Sequence, residues 1–396
     1  MCSLRCLVAF FALPLIPIIP LHAAEPKVSQ GLQPFVDKAT LAGAVVLVAS
    51  PDKVLAIETV GYADREAKTP MQPDNMFWIA SMSKPMTAAG LMILVDEKKV
   101  ELDAPVEKYL PEFKSQMMQM AGDKDYAFLH RPKRLPTVRD LLRHTSGMPF
   151  KSDLEDPTLD HFSLRDGVRG YVMTPLQYEP GTKHVYSNAG INTAGRIIEV
   201  VSKMPYEQFM EKRLFAPLGM KDTTFWPNEE QLKRLAKSYR PNKDNNGLEA
   251  TTVGQLQYPL NDPKRQPMPA GGYFSTTADV AAFGQMVLRG GKTADGKQLI
   301  SEASVREMTS TQTGEINKGE GGYGLGFSTT RKSKGENGPV VAGPCGHGGA
   351  FSTNLWIDPD RKLVTVFMVQ HAGWPNNEGG KVRQAFEQAA VAAFAK

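Results

Sequence analysis

Three short clusters in the 396-residue chain carry side chains suited to acyl transfer. In Ser81-Met82-Ser83-Lys84 a hydroxyl and an amine stand three residues apart. On the first turn of a helix that spacing puts both on one face, within hydrogen-bonding reach. A serine hydroxyl is a weak nucleophile alone, and a neutral Lys84, its pKa lowered by its surroundings, would take the Ser81 proton during attack. A helix start also offers unpaired N–H groups, so the backbone N–H of Ser81 can face a developing oxyanion.

Tyr186-Ser187-Asn188 is the one Tyr-x-Asn among eleven tyrosines and leads into a helical pattern. A phenol beside Lys84 would relay the proton from serine to leaving group and then activate the deacylating water, while Asn188 would hold a substrate carbonyl. Gly346-His347-Gly348-Gly349-Ala350 precedes a strand pattern. Its glycines let substrate approach the backbone, and the Ala350 N–H can serve as the second oxyanion donor. Each cluster has a plain structural reading as well: an N-cap serine with an incidental lysine, a buried tyrosine with a capping asparagine, and a tight hairpin turn. Rivals exist too. Ser50-Pro51-Asp52-Lys53 repeats the Ser-x-x-Lys spacing and His371-Ala372-Gly373 repeats His-x-Gly, but only Ser81 opens a long apolar helical pattern.

The elements that must position these groups are legible around them. Ala42 to Ser50 and Val54 to Tyr62 read as strands joined by the turn-forming Pro51-Asp52-Lys53. Ser81 to Glu97 reads as a buried helix. From about 101 to 265 short helices and long loops are expected, with helices at Thr137 to Arg143, Ile191 to Val201 and Tyr206 to Phe215. Strand patterns return in Tyr323 to Thr329, Phe351 to Ile357 and Lys362 to Gln370, before a closing helix from about Gly380 to Ala395. The two ends therefore build one sheet. The predicted organisation is an α/β lobe from residues 25–100 and 266–396 and an α-rich lobe from about 101 to 265. Pro241 to Gly247 reads as a surface loop.

Composition narrows the function. The chain is 41% hydrophobic and 22% charged, with a net charge of +4 and no basic run, which argues for a small-molecule site and against a nucleic-acid partner. Arg5, the apolar run Cys6 to Leu21 and Ala23-Ala24 read as an export signal, residues 1–24. The run falls short of the roughly 20 residues of a membrane span, so an exported chain with no span after signal removal is expected. Cys345 then remains as the one cysteine, and no disulfide can form. There is no His-Glu-x-x-His, no Gly-x-Ser-x-Gly, no P-loop and no Gly-x-Gly-x-x-Gly after a strand. Neither a metal nor a cofactor is expected.

Taken together, Ser81-x-x-Lys84, Tyr186-x-Asn188 and His347-Gly348-Gly349, spaced 105 and 161 residues apart, resemble the three motifs of the serine β-lactamase and penicillin-binding-protein superfamily. The likeness covers nearly the whole mature chain. Thr137 to Gly147, Pro180 to Gly190, Phe215 to Met220 and Gly271 to Asp279 resemble its class C branch, and Gln257 stands where a class A enzyme's Glu-x-x-Leu-Asn would need its glutamate. The resemblance implies a central antiparallel sheet flanked by helices, an α-rich lobe, and a site at the start of the Ser81 helix. It also implies that Ser81 is acylated, Lys84 is its base, Tyr186 relays protons and drives deacylation, and Asn188 binds substrate. His347-Gly348-Gly349 take the place of Lys-Thr-Gly as substrate-binding residues, and the N–H groups of Ser81 and Ala350 form the oxyanion hole.

The third motif departs from the family. His347 is mostly neutral at pH 7 and Gly348 lacks a hydroxyl, so the pair that helps bind a substrate carboxylate is missing. The site thus resembles that of family VIII carboxylesterases, and hydrolysis of an ester is the leading expectation. β-Lactam or D-Ala-D-Ala-type amide hydrolysis, and a sensor acylated without turnover, are the alternatives. Cys345 is expected near the pocket or buried and inert, and Met117, Met118 and Met120 in a loop over the site or in plain packing.

Overall fold

Residues Gly43–Ala49 form strand β1, and all seven are buried. Successive side chains of a strand point to opposite faces, so a run apolar at every position needs cover on both sides. Val45, Leu47 and Ala49 enter the larger core of the protein. Ala44, Val46 and Val48 enter a second core with Phe367, Val382 and Phe386.

The computed structural model describes residues 27–122, 125–314, 316–317, 321–332 and 341–395; the expected export signal lies outside them. β1 belongs to an eight-stranded antiparallel sheet with β2 (Val54–Asp64), β3 (Thr69–Pro70), β4 (Gly321–Tyr323), β5 (Ser328–Lys332), β6 (Val341–Gly348), β7 (Asn354–Asp358) and β8 (Leu363–Met368). The spatial order is β4-β5-β6-β7-β8-β1-β2-β3. The N-terminal hairpin docks on the C-terminal strands with Leu47 opposite Val366, so the two ends of the chain share one sheet.

Four helices of twelve residues or more stand among the described residues: α1 (Ser83–Asp96), α2 (Asn188–Ser202), α3 (Thr277–Leu288) and α4 (Gly379–Phe394). α4 covers one face of the sheet through Val382, Phe386 and Ala390. α1 and α3 cover the other. Every residue of α1 from Ser83 to Leu94 is buried, as its all-round apolar pattern demands. The architecture is a mixed α and β fold with a large antiparallel sheet between helices. None of the described helices is long and apolar enough to cross a membrane.

Some elements differ from the sequence reading. Tyr323 to Thr329 is two strands, because the chain turns at Gly324, whose N–H bonds Phe327 O, and at Gly326, whose φ is 77°. Phe351 to Thr353 lie in the turn before β7, which starts at Asn354. α2 begins at Asn188, three residues earlier than expected, because Ser187 Oγ caps the Gly190 N–H at 3.0 Å. The region from 101 to 265 also contains two small hairpins, Met118–Gly122 with Ala127–His130 and Ser238–Pro241 with Leu248–Thr251.

Candidate active site

Ser81 is delivered by a short, strained path. Strand Met76–Trp78 pairs with Phe274–Thr276, and one 3-10 turn, Ala80–Met82, links it to α1. Ala80, just before Ser81, has φ 45°, a conformation uncommon for any residue with a side chain. One turn on, Lys84 Nζ lies 3.0 Å from Ser81 Oγ. The local i, i+3 spacing thus makes the contact expected of it.

The remaining contacts of Lys84 define what its amine can do. Nζ donates to Asn188 Oδ1 at 2.8 Å and to the Ala270 carbonyl at 2.6 Å. Both are acceptors only, so they take two protons, and in the neutral amine the lone pair is left for Ser81. Lys84 is wholly buried, and desolvation pushes its pKa well below 10.5. Burial alone therefore favours the form that can accept a proton.

Tyr186 packs over the same nitrogen, with Lys84 Nζ 4.6 Å from its ring centroid. Burial raises the phenol pKa above 10, and its hydrogen bond with Ser81 opposes this only in part. At rest the tyrosine keeps its proton. It can pass a proton along, whereas Lys84 is the group able to take one first. Asn188 starts α2 and spends its carbonyl oxygen on Lys84, so it orients the amine in addition to any contact with substrate.

The third cluster closes the other side. Gly349 N–H bonds Thr353 O at 2.8 Å, forming the turn between β6 and β7. A Cβ at Gly349 would lie 2.5 Å from the Ile79 carbonyl and 2.1 Å from Thr353 Oγ1, so glycine lets this turn press against the segment carrying Ser81. Gly348 and Ala350 are exposed beside it. Among the described residues the Ala350 N–H makes no hydrogen bond, which leaves it available to an oxyanion.

His347 is buried, and both ring nitrogens are occupied within the protein. Nδ1 meets Gly348 O at 2.7 Å, an acceptor, so Nδ1 carries the proton and Nε2 accepts from the Tyr323 hydroxyl at 2.9 Å. Burial, and then the nearby Lys84, lower its pKa to about 3. The imidazole is neutral, and its polar atoms are committed to protein groups.

Several residues of the site were not singled out in the sequence. His144, wholly buried, accepts the Ser187 N–H at Nδ1, 3.2 Å away, and packs its ring 4.5 Å from that of Tyr186 and 4.6 Å from that of Tyr323. It lies within the Thr137 to Gly147 stretch already noted. Phe150 stacks on Tyr186 at 6.3 Å. Ala270 contributes only a carbonyl, which no side-chain pattern signals. The rival Ser50 and Lys53 sit in the β1–β2 turn, where Ser50 Oγ accepts the Lys53 backbone N–H. Cys345 is buried and free, and desolvation pushes its thiol up to about 12, away from the reactive thiolate. Met118 is buried at the base of the small hairpin, and Met120 is exposed on it.

A family model described as Beta-lactamase matches residues 28–390. Protein Rv1367c of Mycobacterium tuberculosis (strain ATCC 25618 / H37Rv) is 30% identical over 362 residues, covering 85% of this chain and 87% of its own. Esterase EstB of Burkholderia gladioli is 31% identical over 211 residues, 50% of each chain. Among solved structures, EstCE1, a hydrolase with promiscuous acyltransferase activity, superposes with a TM-score of 0.76 over 92% of this chain and 97% of its own, at 24% identity. That likeness is one of fold.

Proposed function

Because the chain belongs to the Beta-lactamase family and is a serine hydrolase of that fold, we propose that it cleaves carboxylic esters through an acyl-enzyme on Ser81. The observation that carries this reading is the buried Lys84 amine, 3.0 Å from Ser81 Oγ, with its other two contacts made to pure acceptors. Ser81 Oγ bonds to the ester carbonyl carbon while its proton moves to Lys84 Nζ. The carbonyl electron pair shifts to oxygen, between the N–H groups of Ser81 and Ala350. On collapse the C–O bond to the alcohol breaks, and the proton passes from Lys84 through the Tyr186 hydroxyl to the departing alkoxide. Water repeats the sequence in reverse roles and releases the acid.

The preference for esters rests on His347. A neutral imidazole tied to Gly348 and Tyr323 supplies no cation for a substrate carboxylate. The likeness to a protein named as an esterase supports the same reading. Export belongs to the proposal as well, and N-terminal sequencing of the protein recovered outside the cytoplasm tests it.

The direct test compares kcat/KM for a short-chain nitrophenyl ester and a chromogenic cephalosporin, with Ser81→Ala as the blank. Ester preference by orders of magnitude and an inactive blank are expected. A cephalosporin preference would move β-lactam hydrolysis ahead of ester hydrolysis.

A further inference from the structure

The Ala270 carbonyl that accepts from Lys84 is itself held from behind. Ala270 N–H donates to Asn192 Oδ1 at 3.0 Å, and Asn192 Nδ2 donates to the Tyr171 hydroxyl at 3.0 Å. Tyr171 donates to Glu155 Oε1 at 2.6 Å, and Glu155 Oε2 accepts the Ser152 N–H at 2.8 Å. Asn192, Tyr171 and Glu155 are all buried. The chain of bonds runs from the Ser152 N–H to the amine beside Ser81.

α2 is the beam that carries this arrangement. Asn192 follows Asn188 by four residues, so both lie on one face of the helix. Asn188 touches Lys84 directly, and Asn192 reaches it through the backbone of Ala270. The next turn must stay bare: a Cβ at Gly195 would lie 2.3 Å from Pro269 Cγ, so glycine allows the 269–270 segment to rest on the helix. The chain of bonds crosses the Ala270 backbone from its N–H to its C=O, two adjacent peptide units joined at the Cα, and so transmits position and not protons. Its effect falls on geometry.

We propose that Asn192 is a positioning residue for Lys84: backed by Tyr171 and Glu155, it fixes the backbone at Ala270 so that the Ala270 carbonyl takes one Nζ proton and the Nζ lone pair turns to Ser81 Oγ. This rests on the reading of Lys84 as the base. With the carbonyl displaced, the amine loses one of its two anchoring acceptors and samples orientations in which no lone pair faces the serine.

The test measures single-turnover acylation by a short-chain nitrophenyl ester, together with steady-state kcat and KM, in wild type, Asn192→Leu, Tyr171→Phe, the double variant and Lys84→Ala. Asn192→Leu is expected to slow acylation about 10- to 100-fold with the substrate dissociation constant, read from the concentration dependence of the single-turnover rate, kept within about twofold, since a group held by its neighbours loses that much when they go. Tyr171→Phe should slow it about 3- to 10-fold, and the double variant should be no slower than Asn192→Leu, because Tyr171 acts through Asn192. Wild-type acylation in Asn192→Leu beside an inactive Lys84→Ala would overturn the inference alone, as would losses that multiply in the double variant. A fully active Lys84→Ala would overturn the base reading and this inference with it. If Asn192→Leu does not fold, Tyr171→Phe decides: a slower single-turnover acylation at unchanged substrate dissociation constant supports the inference, and wild-type acylation overturns it.

Discussion

Tyr323 donates its hydroxyl to His347 Nε2 at 2.9 Å, which leaves the imidazole neutral and without a polar atom to spare. A carboxylate on the substrate therefore finds no positive partner here and still loses its hydration on entry. Adding a carboxylate beside the scissile ester should lower kcat/KM, by about tenfold if one charge-assisted hydrogen bond is missing. The ratio of rates for charged and neutral esters should stay flat between about pH 5 and pH 8, since His347 does not titrate there. A ratio that climbs on acidification would show that His347 becomes a cation in the working enzyme.

Lys84 ties activity to stability. Its folded pKa lies well below 10.5, so the unfolded chain binds a proton that the folded chain does not. Stability therefore falls as pH drops from 10.5 toward the lowered folded value, by about 1.4 kcal/mol per pH unit. Lys84→Met should lack that slope and lose turnover about 10²- to 10⁴-fold. Denaturant midpoints of both proteins across that window check the slope, and parallel curves would contradict a buried, uncharged lysine.

The parts of the site that are legible in the sequence are the local ones. Ser81 with Lys84, and Tyr186 with Asn188, are set by one helical turn and one helix cap, which neighbouring residues dictate. The partners that complete the site are not local. Tyr323 meets His347 only because β4, β5 and β6 pair in one register, with Thr329 opposite Cys345. Glycines and Pro344 hide β6 from any strand pattern. Ala270 acts through its main chain, and Asn192 looks like any polar residue on a helix until the 269–270 segment is seen against it.

The two glycines after His347 should differ sharply. Gly349→Ala forces a methyl against the Ile79 carbonyl and Thr353 Oγ1, and should cost about 1–3 kcal/mol, with activity falling as the Ser81 turn shifts. Gly348→Ala meets nothing closer than 3.6 Å and should fold as wild type. Thermal unfolding of the pair checks this, and equal midpoints would contradict the close approach of the two segments.

Acid should unfold the protein through its buried histidines. His347 and His371 have pKa values lowered from 6.5 to about 3, first by burial, so each takes up a proton only on unfolding. Stability is lost as pH falls from 6.5 toward 3, each residue adding about 1.4 kcal/mol per pH unit. His371→Gln should remove one of these slopes, and stability measured against pH reads it. An unchanged slope would mean that His371 is already charged in the folded state.

The covalent step is open to direct observation. The protein is mixed with a short-chain nitrophenyl ester, quenched in acid within the first turnover, digested and weighed by mass spectrometry, with Tyr186→Phe used to slow release of the acyl group. The peptide bearing Ser81 should gain the mass of the acyl group, and Lys84→Ala should gain none on the same timescale. Turnover with no adduct on that peptide, or an adduct on another residue, would contradict Ser81 as the nucleophile.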